Sequence, residues 1–270
     1  MRRHFHKMHG LGNDFVIVDA RPETGNAPFE VTPALARAIA DRRTGVGCDQ
    51  LIVLEPSDRA ELRMRIWNSD GGEVESCGNA TRCVIQLTGA KAIESDGGLL
   101  QGENFGAEVE VSLPQPRFAW DEIPLAYPVD TAALPMAWDG LEHPMALNVG
   151  NPHLVFFVPD AREVPLERLG PVIENDPAFP RRINVNVATY IHNRLKLRTF
   201  ERGAGETLAC GTGACASAVA AIVTKRADSP VTVDMTGGSL VVSWKQGQPI
   251  RMRGSATRVY EGELDLEALQ

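Results

Sequence analysis

The sequence predicts an α+β protein of two similarly folded domains, each a curled, strand-rich sheet wrapped around one long apolar helix. Three observations carry this. The first is a long internal repeat: Cys210-Gly211-Thr212-Gly213 lies over Cys77-Gly78-Asn79-Ala80 at an offset of 133 (210 − 77), and repeats of this kind are read before any single element. The match extends upstream, with Leu195 to Phe200 over Leu62 to Trp67 and Gly205-Glu206 over Gly72-Glu73. The second is a pair of Gly-Asn turns, Gly12-Asn13 and Gly150-Asn151, each leading into an apolar run at an offset of 138 (150 − 12). Small insertions therefore separate the copies, and Gln50 falls over Asn184. The third is that each half combines several short strand patterns with one long apolar helix pattern.

Composition sets limits. The 270 residues suffice for two ordinary domains, and 43% hydrophobic with 23% charged residues is the balance of a globular chain. A net charge of −8 argues against a general nucleic-acid or anionic-membrane surface. Met1 to Lys7 is basic, but no apolar run follows it, so no secretory signal is expected. Ala214 to Val223 is too short to span a bilayer and reads as a buried helix. The five cysteines are odd in number and include no CxxC, which points away from a disulfide framework or zinc knuckle and toward a reducing cytoplasm.

In chain order, His6 to Asp19 reads as a strand interrupted by the Gly10-Leu11-Gly12-Asn13-Asp14 turn. Thr32-Pro33 opens a helix running to Asp41, with threonine as cap and proline in the first turn. Leu51 to Glu55 and Ala60 to Trp67 are strands, and Asn68 to Glu73 is a turn-forming loop. A helix is expected from Asn79 to Ile93, with Ala80, Cys83, Val84, Leu87 and Ile93 on its apolar side. Strands follow at 99–101, 107–113 and 117–120, and Pro114 to Pro135 reads as the crossover. The second half repeats the order. It has a strand with a turn over 146–158, a short helix over 164–169, and strands over 182–187 and 190–200. A small-residue helix over 213–225 and strands over 231–234, 239–245 and 250–253 complete it. A last strand, 258–261, is expected to cross back to the first domain. The domains are thus expected at 1–120, with 259–270 returning to it and carrying Cys77, and at 121–258, carrying Cys210.

Cys77 and Cys210 each stand at a helix start. There the partial positive charge and unpaired N–H groups lower a thiol's pKa and attract anions. The small or polar residues that follow each cysteine let backbone N–H groups approach a ligand carboxylate. If a pseudo-twofold axis relates the halves, two such thiols suit removal of a proton from one face of a carbon and its return to the other, which is racemisation or epimerisation. No pyridoxal-phosphate motif is evident, and no metal or cofactor is expected. Cys48, Cys83 and Cys215 read as small core residues. Glu73 and Glu206 read as structural residues in the turns before the helices, and Arg65 and Arg198 as surface or interface residues on strands. His4, His6 and His9 read as solvent-facing.

Several blocks carry a resemblance. They are Lys7 to Phe15, Asn68-Ser69-Asp70-Gly71, Cys77-Gly78-Asn79, Gly150-Asn151-Pro152-His153, Asn184-Val185-Asn186, Glu201 to Gly213 and Tyr260-Glu261-Gly262. Over essentially its whole length the chain resembles the diaminopimelate epimerases, which interconvert L,L- and meso-diaminopimelate in lysine and peptidoglycan synthesis. The resemblance implies two pseudo-symmetric domains, each a barrel-like, mostly antiparallel sheet around a central helix. It implies Cys77 and Cys210 as acid/base thiols, His153 and Glu201 as the groups that tune them, and no cofactor. Substrate would be bound by Asn13, Gln50, Asn68, Asn151, Asn184, Glu201 and Arg202, with the backbone at Gly78-Asn79 and Gly211-Thr212 holding the reacting carboxylate. A homodimer is implied as well. One departure is Ala80, where the family usually has glycine. Two other readings stay open at this stage: a related cofactor-free racemase for another amino acid, and a redox-sensing amino-acid-binding protein.

Overall fold

A computed structural model describes residues 2–75 and 77–269. The chain forms two compact units, 1–111 with 254–270, and 112–253. The first contains β1 (Arg2–Gly10), β2 (Asn13–Asp19), α1 (Pro33–Ala40), β3 (Gln50–Glu55), β4 (Leu62–Asn68), β5 (Glu73–Val74), α2 (Gly78–Thr88), β6 (Ala92–Ser95) and β7 (Gly98–Asn104). It gives way to the second along β8 (Glu108–Leu113). The second contains β9 (Ala137–Trp138), β10 (Leu141–Glu142), β11 (Met145–Asn148), β12 (Pro152–Phe157), α3 (Leu166–Glu174), β13 (Asn184–Ile191), β14 (Arg194–Glu201) and β15 (Gly205–Thr207). It continues through α4 (Gly211–Val223), β16 (Val231–Met235), β17 (Gly238–Ser243) and β18 (Ile250–Ser255), and β19 (Thr257–Asp265) returns to the first unit.

The internal repeat is a repeat of strand pairing. In the first unit β1 and β2 are antiparallel, β2 and β3 parallel, and β3 and β4 antiparallel. β4 then takes β5 antiparallel and β6 parallel, and β6 and β7 are antiparallel. The second unit repeats that order through β11, β12, β13, β14, β15, β16 and β17, with the same sense at every step. The registers agree as well: Phe15 faces Gln50 as His153 faces Asn184, and Ile52 faces Ile66 as Asn186 faces Thr199.

Each sheet curls because its alternating residues bury one face against its own helix. α4 is Ala-rich and apolar all round, and nine of its residues, from Gly213 to Ala221, are buried. A helix of that kind belongs in an interior, and α4 packs on β11, β12, β13, β14, β16 and β17. α2 packs on β1, β2, β7 and β19. Separate cores fill out the two units, one around Val16, Ile39, Leu51 and Trp67, the other around Leu154, Phe156, Ile173 and Val185. Among the described residues, no helix is long and apolar enough to cross a membrane.

Several boundaries differ from expectation for local reasons. α2 ends at Thr88 because Gly89 adopts a left-handed φ of 73° and its N–H closes on Ile85 O. Ile93 then lies on β6 instead of the helix. β13 runs on to Ile191, and the chain reverses at His192-Asn193, both at positive φ (46° and 60°), as a two-residue hairpin requires. α3 extends through Pro171 to Glu174. Residues 117–120 contribute only an isolated bridge, Arg117 to Asn148. Glu73 and Glu206 lie on β5 and β15, each paired in register to β4 or β14. β19 pairs antiparallel with β1 over eight residues of β1, from Arg2 to His9.

Candidate active site

Each unit ends a short strand at a cysteine that caps its buried helix. Cys77 and Cys210 both hold extended backbone (φ −149° and −120°) as N-caps of α2 and α4. Their carbonyls accept the N–H groups of Thr81 and Ala214. Gly78-Asn79 and Gly211-Thr212 then form first turns, where helix geometry leaves N–H groups without intrahelical partners.

In the first unit, Asn13 follows a hairpin turn whose two residues, Leu11 and Gly12, are both left-handed (φ 58° and 85°). The turn delivers the Asn13 side chain to the start of α2. Cys77 Sγ donates to Asn13 Oδ1 at 3.8 Å, and Asn79 Nδ2 donates to the same oxygen at 3.3 Å. Asn13 Nδ2 donates to Asp49 Oδ2 at 2.9 Å, and Arg82 Nη2 donates to Asn79 Oδ1 at 2.7 Å. Arg82 is wholly buried. Gln50 and Asn68 form a separate cross-strand pair, Nε2 to Oδ1 at 2.8 Å, and the buried Gln50 Oε1 has no partner among the described residues. Ala80 sits inside α2, fully buried and outside the left-handed region, so the departure from glycine requires no strained backbone.

In the second unit the Asn151 amide occupies the position of Asn13 and donates to Thr212 Oγ1 at 3.4 Å. Behind it runs a polar chain whose direction is fixed by Leu154 O. That carbonyl can only accept, so Asn186 turns its Nδ2 to it at 2.8 Å and also to His153 Nδ1 at 3.0 Å. His153 Nδ1 is then the acceptor, and Nε2 carries the proton donated to Asn151 Oδ1 at 2.9 Å. Thr199 Oγ1 donates to Asn186 Oδ1 at 3.0 Å. Thr212 Oγ1 lies 3.5 Å from Cys210 Sγ, which also accepts from Gly213 N–H at 3.4 Å. His153 is neutral: burial pushes its pKa down to about 3. Cys210 is only 4% exposed. Burial first, then the nearby Glu201 carboxylate, push its thiol well above its ordinary value, while Thr212 and Gly213 pull the other way.

Glu201 accepts from Thr207 Oγ1 at 2.5 Å. The Asn184 side chain holds local backbone, donating to Pro152 O at 2.8 Å and accepting Arg202 N–H at 3.0 Å. Arg202 is exposed, with Nη1 on Arg181 O at 3.1 Å. Burial holds the other thiols protonated, Cys48 up to about 11 and Cys83 up to about 12.

Sequence reasoning passed over Asp49, Arg82, Asn186 and Thr199 as functional positions. One signal was available for Arg82. It lies at the offset of 133 from Cys215, next to Cys83 on a helix whose middle is apolar, where a charged side chain is unexpected.

The diaminopimelate epimerase family model matches residues 5–108 and 145–259. A diaminopimelate epimerase of Rhizorhabdus wittichii is 60% identical over 99% of this chain and 97% of the relative. One from Sphingopyxis alaskensis is 60% identical over 98% of each chain. Among solved structures, a phenazine biosynthesis protein of the PhzF family from Bacillus anthracis superposes with a TM-score of 0.66 at 16% identity, covering 98% of this chain and 99% of that one. A hydroxyproline epimerase from Agrobacterium vitis gives 0.63 at 14% identity over 97% and 92%. At such identities these structures speak for the fold, a two-domain α+β architecture. The family match and the two close relatives, each spanning nearly the full length, speak for descent, and by them the chain belongs to the diaminopimelate epimerase family of isomerases.

Proposed function

We propose that this protein interconverts L,L- and meso-diaminopimelate without a cofactor, with Cys77 and Cys210 as its two acid/base groups. The observation that carries the proposal is the repeated half-site. Twice in one chain a cysteine caps a buried helix, with an asparagine from a Gly-Asn turn against the residue two places on.

A thiolate takes the α-proton, and the C–H electron pair moves into the carboxylate to give an enediolate. The other thiol returns a proton to the opposite face, and the roles exchange with substrate handedness. The N–H groups at Gly78-Asn79 and Gly211-Thr212 stabilise the charge that develops on the carboxylate. General acid–base transfer supplies about 10²–10⁴ in rate, so these donors must carry much of the remainder.

Glu201 is placed to hold the Cys210 proton, consistent with its effect on that thiol. His153 acts at one remove, orienting Asn151 and through it Thr212. Gln50, Asn68, Asn184 and Arg202 are assigned to the substrate's distal amino-acid end. The unpaired Gln50 Oε1 has the polarity to accept from an ammonium, and arginine can take a carboxylate in a fork. The same reading places lysine biosynthesis in a reducing cytoplasm and the protein in a homodimer, whose interface would cover the exposed Val259 and Tyr260 of β19.

The test is proton NMR of the reduced protein with L,L-diaminopimelate in D₂O. Loss of the α-proton signal with appearance of the meso isomer is expected, and Cys77→Ala and Cys210→Ala should each lower it by at least about 10³-fold while remaining folded. Exchange only with another amino acid would move the substrate to that compound. Undiminished turnover by either variant would end the two-thiol assignment.

A further inference from the structure

The hydrogen bonds behind Cys77 all point one way. Arg82 can only donate, so Asn79 turns its oxygen to it. That leaves Asn79 Nδ2 for Asn13 Oδ1. Asp49 Oδ2 accepts the Asp14 N–H as well, so Asn13 turns its Nδ2 to it. Amide orientation, which is ambiguous for an asparagine alone, is here dictated from both ends by groups of fixed polarity.

We propose that Asp49 and Arg82 are positioning residues for Cys77: together they fix the direction of the chain Arg82 → Asn79 → Asn13 → Asp49, so that an amide oxygen, not an amide N–H, faces the thiol. The proposal deepens the reading of Cys77 as a reacting group and rests on it. An oxygen facing the sulfur favours the protonated thiol. At Cys210 the Gly213 N–H and the Thr212 hydroxyl face the sulfur beside the Glu201 carboxylate. The acceptor oxygen is thus an amide's in one half-site and a carboxylate's in the other.

Other charged groups surround the chain. Asp49 Oδ1 takes Arg42 at 2.8 Å, and Asp14 takes Arg42 and Lys7. Cys83 couples to both Arg82 and Cys77. Removing a charge therefore moves the Cys77 titration directly, whatever the amides do. The design must separate that field from orientation. Either end alone suffices to hold Asn13, because turning it would set N–H against N–H at Asn79 or oxygen against oxygen at Asp49. Direct field effects add between the two sites, whereas release of the amide occurs only when both ends are gone.

The experiment is a double-mutant cycle of Asp49→Ala, which removes the oxygen shared by Asn13 Nδ2 and the Asp14 N–H, and Arg82→Met in a Cys210→Ser background. It reads the pH midpoint of iodoacetamide alkylation at Cys77 by peptide mass spectrometry, with thermal melts as the folding control. The double variant should titrate about one unit lower than the sum of the single shifts predicts. Should Arg82→Met not fold, Asn79→Ala cuts the chain at its middle and completes the same cycle with Asp49→Ala. Additive shifts would overturn the proposal. The readout needs no substrate. A coupled shift in a protein that fails to exchange diaminopimelate protons would sink the activity and leave the positioning in place, and the reverse outcome would do the opposite.

Discussion

The two halves share strand order, pairing sense and register, yet beneath α2 and α4 their interiors differ in kind. Where the second half has His153, Asn186 and Thr199, the first has Phe15, Ile52 and Ile66 at the same register positions. One interior is apolar packing and the other is a hydrogen-bonded chain that ends on Thr212. The lesson is that a repeat conserves backbone geometry more strictly than it conserves the chemistry behind each cysteine. Conversely, the first half buries an arginine within its central helix, where Arg82 occupies the position of Cys215. The halves therefore orient their asparagines by different means, ionic groups in one and a neutral imidazole in the other.

The largest effect expected from this difference is acid sensitivity. His153 is held neutral with a pKa of about 3 against an ordinary 6.5. Its depressed value means that the unfolded chain binds this proton first. Stability is intact above pH 6.5 and falls as pH drops through the window from 6.5 to 3. Over that window the loss reaches up to roughly 4 kcal/mol. Phe15 at the equivalent position has no such term. Urea unfolding at a series of pH values should show a flatter curve for His153→Gln, and equal slopes for variant and wild type would remove His153 as the cause.

The next effect compares positions 80 and 213. A methyl built on Gly213 would meet Asn186 Oδ1 at 2.6 Å and Thr199 Oγ1 at 2.8 Å, two members of the polar chain. In the first half the corresponding Ala80 fits without exposure. Gly213→Ala is expected to cost about 3 kcal/mol, from overpacking and a displaced hydrogen bond, and to lower turnover more than tenfold. Ala80→Gly should cost only about 1 kcal/mol, the helix propensity difference. Similar costs for both would mean that α4 shifts to absorb the methyl.

Third, truncating one member of the chain leaves the others unpaired. Asn186→Ala should cost about 2 kcal/mol, since it strands His153 Nδ1 and Thr199 Oγ1. The triple replacement His153→Phe, Asn186→Ile, Thr199→Ile copies the first half's interior and should recover much of that stability. It should not recover turnover, because Asn151 and Thr212 lose their orientation. Full turnover in the triple variant would show the polar chain to be irrelevant to catalysis.

The repeat that announced two domains was legible because the residues forced to recur, the cysteines and their flanking Gly-Asn turns, are the ones with few substitutes. The helix caps were legible for the same reason: Thr32-Pro33 opens α1 as its side chains dictate. What stayed hidden was pairwise. Asn186 and Thr199 look like ordinary strand residues, and only the register of β13 on β14 brings them together. Arg82 looks like one more polar helix residue until packing on β1 and β19 buries it. The end of α2 was misplaced because Ile93 happens to continue the helical period, whereas Gly89 about one turn earlier stops it.

The smallest contrast lies in an ion pair that the halves do share. Arg65 grips Glu73 through Nε and Nη2 at 2.6 and 3.0 Å, and Arg198 grips Glu206 at 2.7 and 2.8 Å. These forks tie β5 and β15, the strands leading to the cysteines, back to β4 and β14, whereas sequence reading placed both glutamates in turns as structural residues. Both pairs are partly exposed, so Glu73→Gln and Glu206→Gln should each cost about 0.5 kcal/mol. The arginines should not be equal. Arg198 Nη1 also donates to Ala161 O and Val164 O at 2.9 and 2.7 Å, whereas Arg65 Nη1 donates to Glu55 Oε1 at 3.5 Å and its guanidinium lies 4.6 Å from the Trp67 ring. Arg65→Met is therefore expected to cost about 1 kcal/mol and Arg198→Met about 2, the excess coming from the donor lost at Ala161 O and the second donor lost at Val164 O, which keeps the Leu166 N–H. Melting both variants at low and high salt separates the parts. The fork contribution should fade with salt in each, while the excess at Arg198 persists. An excess that vanished with salt would assign it to charge, and the two halves would then differ here only in their surroundings.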